Sequence, residues 1–423
     1  MHGIATLPRT LFVAQRSLFR LAVAAARTLM PSDKRLLWII SYHHACNDGT
    51  LMALIALLPI LTEVMSLSYL EVGLLGFGLV ITVVVQYAVG RFADRIFSKY
   101  LLEIGAVLMG TSFVLLLLVD DFAGLFTVVV AMRVGAAFYH PVGTSWITRK
   151  FAGPYLETAL GVQSGVGNFG VIIAMATSGF LGELYSWKAP CVLWAFMNLA
   201  AVVLGLLLVT EASAPRINEA VSRRSSKDTF RKMLIFTPAI IAGGALYQIT
   251  STFGPLNLTS TGRWSPGAAD MMFAVWILVG TITSYYFGAI SARFGKLRLL
   301  AAGYLVAAIS ASLLVFTDQW WLIAPILIFY GAFLFVTYPA LFSFVTDSTK
   351  AEERGTAFGI LFGFQLGGGA LSVFVCGVIA DLLANAKYVF LIAAALSAVS
   401  LLSLFLWRSS RTDGRTPLVG GAA

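Results

Sequence analysis

Thr158-Ala159-Leu160-Gly161-Val162-Gln163-Ser164-Gly165 returns 198 residues later as Thr356-Ala357-Phe358-Gly359-Ile360-Leu361-Phe362-Gly363, with threonine, alanine and both glycines in the same places. One ungapped register carries the match outward. Gly90, Arg95, Gly105, Asp120 and Pro141 meet Gly288, Arg293, Gly303, Asp318 and Pro339, and beyond the quoted stretch Gly170 and Gly179 meet Gly368 and Gly377. Chance glycine matches come easily in a chain with 39 of them, but a single register across four helices does not. The chain reads as two copies of one unit.

Each copy holds six apolar runs. A helix needs roughly 20 mostly apolar residues to cross the hydrocarbon of a bilayer. Such runs begin near Leu37, Tyr69, Tyr100, Phe122, Leu156, Lys188, Met233, Ala268, Leu297, Trp321, Arg354 and Tyr388. With 59% of residues hydrophobic and 12% charged, the composition is that of an all-α integral membrane protein rather than of a soluble core. Six spans per copy is an even number, so both halves insert with the same orientation and can be related by an axis along the membrane normal; transporters built from two such halves bind substrate between them. The predicted organisation is an N-terminal amphipathic segment over 1–36, a six-helix bundle over 37–210, a basic linker over 211–232, a second bundle over 233–408 and a tail over 409–423.

The formal charge of +9 suggests nucleic acid until its distribution is followed. With the N-terminus inside, 25 of the 29 Lys and Arg residues fall in inner loops or termini, Lys188, Arg263 and Lys387 fall outside, and Arg133 lies within a span. This bias predicts a multi-pass protein of the cytoplasmic (inner) membrane with both termini cytoplasmic and no nucleic-acid partner. Cys46, Cys191 and Cys376 fall within or beside spans, read as small packing residues and give neither a disulfide framework nor a metal site. Between Thr10 and Met30, Arg16, Arg20 and Arg27 share one helical face, which suits a segment lying on an anionic leaflet, and a translation start at Met30 is the alternative.

Gly355, Gly359, Gly363 and Gly367 recur every fourth residue, and Gly161 and Gly165 follow the same spacing in the first copy. Small residues on one face let neighbouring helices approach closely where lipid gives no hydrophobic drive for association, so these positions are predicted to pack.

After the second run stands Gly90-Arg91-Phe92-Ala93-Asp94-Arg95, followed by Lys99, and the eighth ends in a degraded copy that keeps Gly288, Arg293, Gly295 and Lys296 but has Ala292 in place of the aspartate. This resembles the loop signature of the major facilitator superfamily. Four stretches further resemble its fosmidomycin-resistance type of exporter: His44-Ala45-Cys46-Asn47-Asp48, Phe138-Tyr139-His140-Pro141, Gly167-Asn168-Phe169-Gly170, and Gly359 to Asp381. The resemblance implies two rocking six-helix bundles, a small organic substrate, export by proton antiport and a monomer, with no cofactor. Gly90, Asp94, Arg95 and Arg293 become the gating set, since an Asp beside Arg at helix ends can hold two bundles together in one state. The superfamily's antiporter signature has a Gly-Pro pair in the fifth span; here Val171-Ile172-Ile173-Ala174-Met175 follows Gly170, and this departure favours the alternative of uptake by proton symport.

Ionisable groups inside spans are costly and read as functional. The i, i+3 and i, i+4 steps relating His43, His44, Asn47 and Asp48 set them on one face of the first span, and Arg133, Ala137, His140 and Thr144 form a stripe on the fourth. Asp48, Arg133, His44 and His140 are therefore the predicted proton-coupling set, with Arg133 approaching Asp48 to tune it. His43, Asn47, Tyr247, Gln248, Ser251, Tyr330, Thr337 and Tyr338 are the predicted substrate contacts, the second half supplying hydroxyl and aromatic groups for a partly apolar ligand. His43 and Asp48 also fit the His-x-x-x-x-Asp spacing of some lipid acyltransferases, but the motif lies deep in a span, and no nucleophile motif, metal cluster or phosphate-binding loop accompanies it, so neither an enzyme nor a metal site is predicted.

Overall fold

The computed structural model describes residues 31–92, 98–151, 154–209, 234, 236–349 and 354–412. Asp94, Arg95, the linker, residues 1–30 of the amphipathic segment and the end of the tail lie outside them. Twelve membrane-length segments run through the described residues, which contain no strand. Span 1 is Pro31–Val64; span 2 is Tyr69–Phe77 with Leu79–Phe92; span 3 is Ser98–Leu116; span 4 is Phe122–Ala136 with Tyr139–Lys150; span 5 is Pro154–Leu184; span 6 is Lys188–Leu208. The second half follows with span 7, Thr237–Ser260; span 8, Pro266–Tyr285 with Phe287–Phe294; span 9, Lys296–Phe316; span 10, Trp320–Ser348; span 11, Arg354–Leu382; and span 12, Val389–Thr412.

Eleven of these are apolar enough to cross a membrane on composition alone, and span 7 is the exception. It is long enough, but it carries Gln248, Thr250, Ser251, Thr252 and Asn257. Most of its residues are buried within the protein, so their polar groups bond inside the bundle and meet no lipid. Span 6, by contrast, turns Phe196 and Leu207 outward, 65% and 71% exposed, as a lipid-facing helix should.

Packing repeats with the sequence. Span 5 lies on span 1 and span 11 on span 7; span 3 lies on spans 4 and 6, and span 9 on spans 10 and 12. Between the bundles two seams dominate, span 5 against span 8 and span 2 against span 11. Both close tightly at the end of the molecule that carries Glu63, Glu183 and Asp318, called here the acidic end. Gly73 and Gly377 bring their backbones into contact at one seam, and Gly179 meets Gly267 at the other.

The predicted packing glycines behave differently. A Cβ added at Gly161, Gly165, Gly359, Gly363 or Gly367 would meet no atom within 4 Å, and Gly288 is equally bare. The surroundings of Gly355 lie outside the described side chains. In this conformation the four-residue glycine stripe is an open face towards the basic end. The close approaches lie elsewhere on the same helices: Gly170 of span 5 against the backbone of Ala45, and Gln365 and Gly369 of span 11 against Gly244. Spacing reveals that a face is smooth, whereas the conformation decides whether anything lies on it.

Candidate functional site

Span 1 places His44 and Asp48 one turn apart on the side facing the other bundle. His44 Nε2 lies 3.0 Å from Asp48 Oδ2, and His140, from the second segment of span 4, brings its Nε2 to 3.3 Å from Oδ1. Asn47 Nδ2 donates to the same Oδ1 at 2.8 Å. The carboxylate is part-exposed and the His140 side chain is 43% exposed, so both reach the space between the bundles, while His44 is buried behind them.

His44 is fixed from three sides. Its ring stacks on Tyr139 with centroids 4.5 Å apart, its Nδ1 stands 2.9 Å from the Gln163 carbonyl oxygen, and Gly167 leaves room for the imidazole where a Cβ would collide with it. Gln163 Nε2 in turn donates to Tyr139 Oη at 2.8 Å. A backbone carbonyl only accepts, so the Nδ1 of His44 carries a hydrogen, and in the neutral ring Nε2 is then a bare lone pair. That lone pair points at a carboxylate oxygen. Two acceptors at 3.0 Å attract only when a cation lies between them, so the geometry of His44 and Asp48 suits a shared cation.

The same donor set suits a metal ion. The ligand atoms of His44, Asp48 and His140 lie within 4.8 Å of one another, and the His44 Nδ1 contact to a carbonyl is the outer-shell support that metal-binding imidazoles use. Three nitrogen and oxygen ligands with an open side fit a divalent transition metal.

Arg133 does not join this group. It ends the first segment of span 4, which breaks at Ala137 and Phe138, so the stripe drawn through Arg133, Ala137, His140 and Thr144 is not continuous. Its side chain runs towards Gly78 on span 2, Thr82 Oγ1 donates to its carbonyl at 3.1 Å, and its buried Nε has no hydrogen-bond partner among the described residues.

His43 is also turned away. Successive residues of a helix stand about 100° apart, so His43 and Asn47 form one stripe and His44 and Asp48 the next. His43 Nε2 faces the Glu103 carboxylate of span 3 at 3.6 Å, both side chains being buried. Beside them, His43, Asn47, Tyr139 and Asn198 help to line a cavity of about 10 Å³, the size of one water. The pair is internal to the first bundle and replaces the predicted substrate contact at His43. Glu103 carried no signal in the sequence beyond being a lone acid near a span end.

In the second bundle the predicted contacts divide. Tyr247, Gln248 and Tyr338 are partly exposed. Tyr247 stacks on Trp276 at 5.6 Å and is close enough to Asp48 for their charges to interact, and Tyr338 Oη donates to the Gly243 carbonyl at 3.0 Å. Ser251, Tyr330 and Thr337 are fully buried instead. Ser251 donates to the Tyr247 carbonyl, Tyr330 bonds to Thr250 at 3.0 Å, and Thr337 donates to Leu334 while its methyl packs on Gly303. These three hold the bundle together and do not line the cavity.

Of the gating set, Gly90 packs near Pro141, and Arg293 is exposed with its guanidinium 5.3 Å from the Phe294 ring. The acidic end is fastened by groups that the loop signature does not include. Asp381, in the last turn of span 11, accepts from the backbone N–H groups of Tyr69 and Leu70 at 2.7 and 2.9 Å, capping span 2 of the other bundle. Glu183, in the last turn of span 5, accepts from Gly267 N at 2.6 Å, at the start of span 8. Each carboxylate satisfies amide hydrogens that a helix start leaves free.

Two bundles, a repeat-related pair of seams and a polar site between them describe a carrier, and the sequence comparison agrees. The family model for the Major Facilitator Superfamily matches residues 43–262 and 239–421. The chain belongs to this superfamily. Among superfamily relatives, the fosmidomycin resistance protein of Escherichia coli is 24% identical over 396 residues, covering 90% of this chain and 95% of its own. The MFS-type transporter YfnC of Bacillus subtilis is 24% identical over 364 residues, covering 82% and 86%. Among solved structures, a mutant form of the nucleoside transporter NupG superposes with a TM-score of 0.77 at 18% identity, covering 88% of this chain and 98% of that one. A bacterial homologue of the lysosomal transporter Spinster gives 0.76 at 14%, covering 92% and 99%. The protein is thus a multi-pass membrane transporter of the major facilitator type.

Proposed function

We propose that the chain exports a small organic molecule across the cytoplasmic membrane by alternating access, driven by proton antiport, with both termini cytoplasmic and the monomer as the transport unit. The observation that carries this reading is the Asp48 carboxylate lying between the imidazoles of His44 and His140, with the Nδ1 of His44 committed to the Gln163 carbonyl. Such a site has room for one proton that must leave before a cationic or polar group of the substrate takes its place, which is the requirement of an exchanger. Tyr247, near Asp48, and the partly exposed Gln248 and Tyr338 are the second bundle's proposed aromatic and hydrogen-bonding surface for the ligand. Buried Arg133 tunes the helix pair of spans 2 and 4 rather than Asp48 itself.

Resistance relatives favour export over uptake, the names of two of them referring to fosmidomycin and quinolones. Cells expressing the chain are expected to tolerate some members of a panel containing fosmidomycin, quinolones and lipophilic cations better than empty cells do. In proteoliposomes each hit is then added to the outside while a trapped dye reports lumen pH. Proton movement opposite to the compound, lost in Asp48→Asn while counterflow persists, supports the reading; undiminished proton movement in that variant removes Asp48 from it.

A further inference from the structure

Asp270 lies in the first turns of span 8 with none of its residue surface exposed, and neither carboxyl oxygen has a hydrogen-bond partner among the described residues. It sits in the seam between the bundles. A Cβ built at Gly179 of span 5 would strike Asp270 Oδ2 and, within 3 Å, Gly267, so the side chain is enclosed where the two bundles touch.

The charges around it are all unhelpful to a carboxylate. Span 5 brings Glu183, whose carboxylate is already committed to the Gly267 amide. Beyond Asp48 at its midpoint, the outer half of span 1 has only Glu63, that of span 7 has no ionisable side chain, and that of span 10 has only Tyr330, which bonds to Thr250. The nearest cation along the chain, Arg263, is paired with Asp318 at 2.8 Å. A carboxylate buried without a donor and beside a second carboxylate is expensive, whereas the neutral acid is far less so.

The repeat shows that packing does not require an acid here. The residue 198 positions before Asp270 is Val72, in the span 2 segment that meets the other seam, and it is also fully buried. Valine meets the packing need at one seam; an unpartnered acid at the other does something that packing does not ask for.

We propose that Asp270 is a second proton-binding site, one that locks the acidic-end gate: it enters the closed seam as the neutral acid, and when the bundles part and water reaches it, it releases that proton to the water and holds the gate open as a carboxylate until reprotonated. The inference rests on the alternating-access reading above but not on Asp48 or on any substrate.

The test follows gate opening in the full-length protein in lipid nanodiscs, without substrate, using spin labels at the exposed positions Tyr185 and Thr261 on opposite sides of the seam. The wild type is expected to shift from the short to the long distance as pH rises from about 5 to about 9. One linked proton changes the open-to-closed ratio by about tenfold per pH unit through the titrating range. Asp270→Asn and Asp270→Val should stay closed with less than about a twofold change per unit, while Glu183→Gln keeps the transition. Valine already occupies the equivalent seam, so Asp270→Val serves should the asparagine variant not fold. A wild-type distance that ignores pH, or a transition unaltered in both Asp270 variants, overturns the proposal. Because the readout needs no flux, it fails or stands separately from proton-driven export.

Discussion

Glu183 and Asp381 stand 198 residues apart and cap opposite helices across opposite seams, Glu183 receiving the amide of Gly267 and Asp381 those of Tyr69 and Leu70. Tyr69 and Gly267 are themselves 198 apart. The duplication has therefore preserved a latch, in which the end of one bundle's helix supplies the charge that the start of the other bundle's helix lacks.

Each latch is a charge-assisted contact worth about 1.5–3 kcal/mol, so Asp381→Asn should raise the open fraction of the acidic end roughly ten- to a hundredfold, and Glu183→Gln somewhat less, since it accepts one amide where Asp381 accepts two. The two seams share no partner, so the double variant should show nearly the sum of the two effects. Labelling of a cysteine placed in the seam by a membrane-impermeant reagent measures the opening; unchanged labelling in Asp381→Asn would show that the cap does not bear on the gate.

The donor set at His44, Asp48 and His140 offers the same atoms to a proton and to a metal, so Zn²⁺ should inhibit transport and compete with protons. Displacement of one proton per ion predicts that inhibition weakens by about tenfold for each unit the pH falls below the titrating range. His140→Ala should abolish the inhibition. Zn²⁺ sensitivity that survives in that variant would locate the metal elsewhere.

His43 and Glu103 face each other inside the first bundle, so they are expected to support the fold rather than to choose the substrate. His43→Leu leaves the Glu103 carboxylate buried without its partner, a loss of about 3–5 kcal/mol. Thermal unfolding in detergent should fall by several degrees, while KM for a transported compound stays unchanged. Adding Glu103→Met should recover most of the stability, because two apolar side chains of similar volume replace the pair. A variant of normal stability with altered KM would return His43 to the substrate site.

The bare glycines divide the two end states. In Gly161→Leu or Gly359→Leu the new side chain meets nothing in the present conformation but fills the face that the opposite bundle must cover when the basic end closes. Both variants should fold normally, lose transport and leave cysteines in the cavity reactive from the basic side. Gly170→Leu, at a position that abuts the Ala45 backbone, should instead prevent folding. Transport at the wild-type rate in Gly359→Leu would mean that this face never closes.

Much of the candidate site could be read directly. His44, Asp48 and His140 stand out because an ionisable residue in an apolar run is rare, and the structure brings all three together. The errors came from angle. Neighbouring positions on a helix differ by about 100°, enough to send His43 to Glu103 and leave His44 at Asp48, and a break after Ala136 separates Arg133 from His140. The latch residues were legible in principle, since acids recur at 183 and 381 in register, but a carboxylate at a span end reads equally well as a solvated loop residue.

Sequence alone determined the number of spans, their pairing into two like halves and the family, because hydropathy and a fixed repeat register depend on residue order and on the bilayer. Only the tertiary structure decided which end is shut, which glycines touch and which polar groups meet. Those follow from helix rotation and from one rigid-body arrangement of the bundles, and the same sequence supports more than one such arrangement with little difference in free energy.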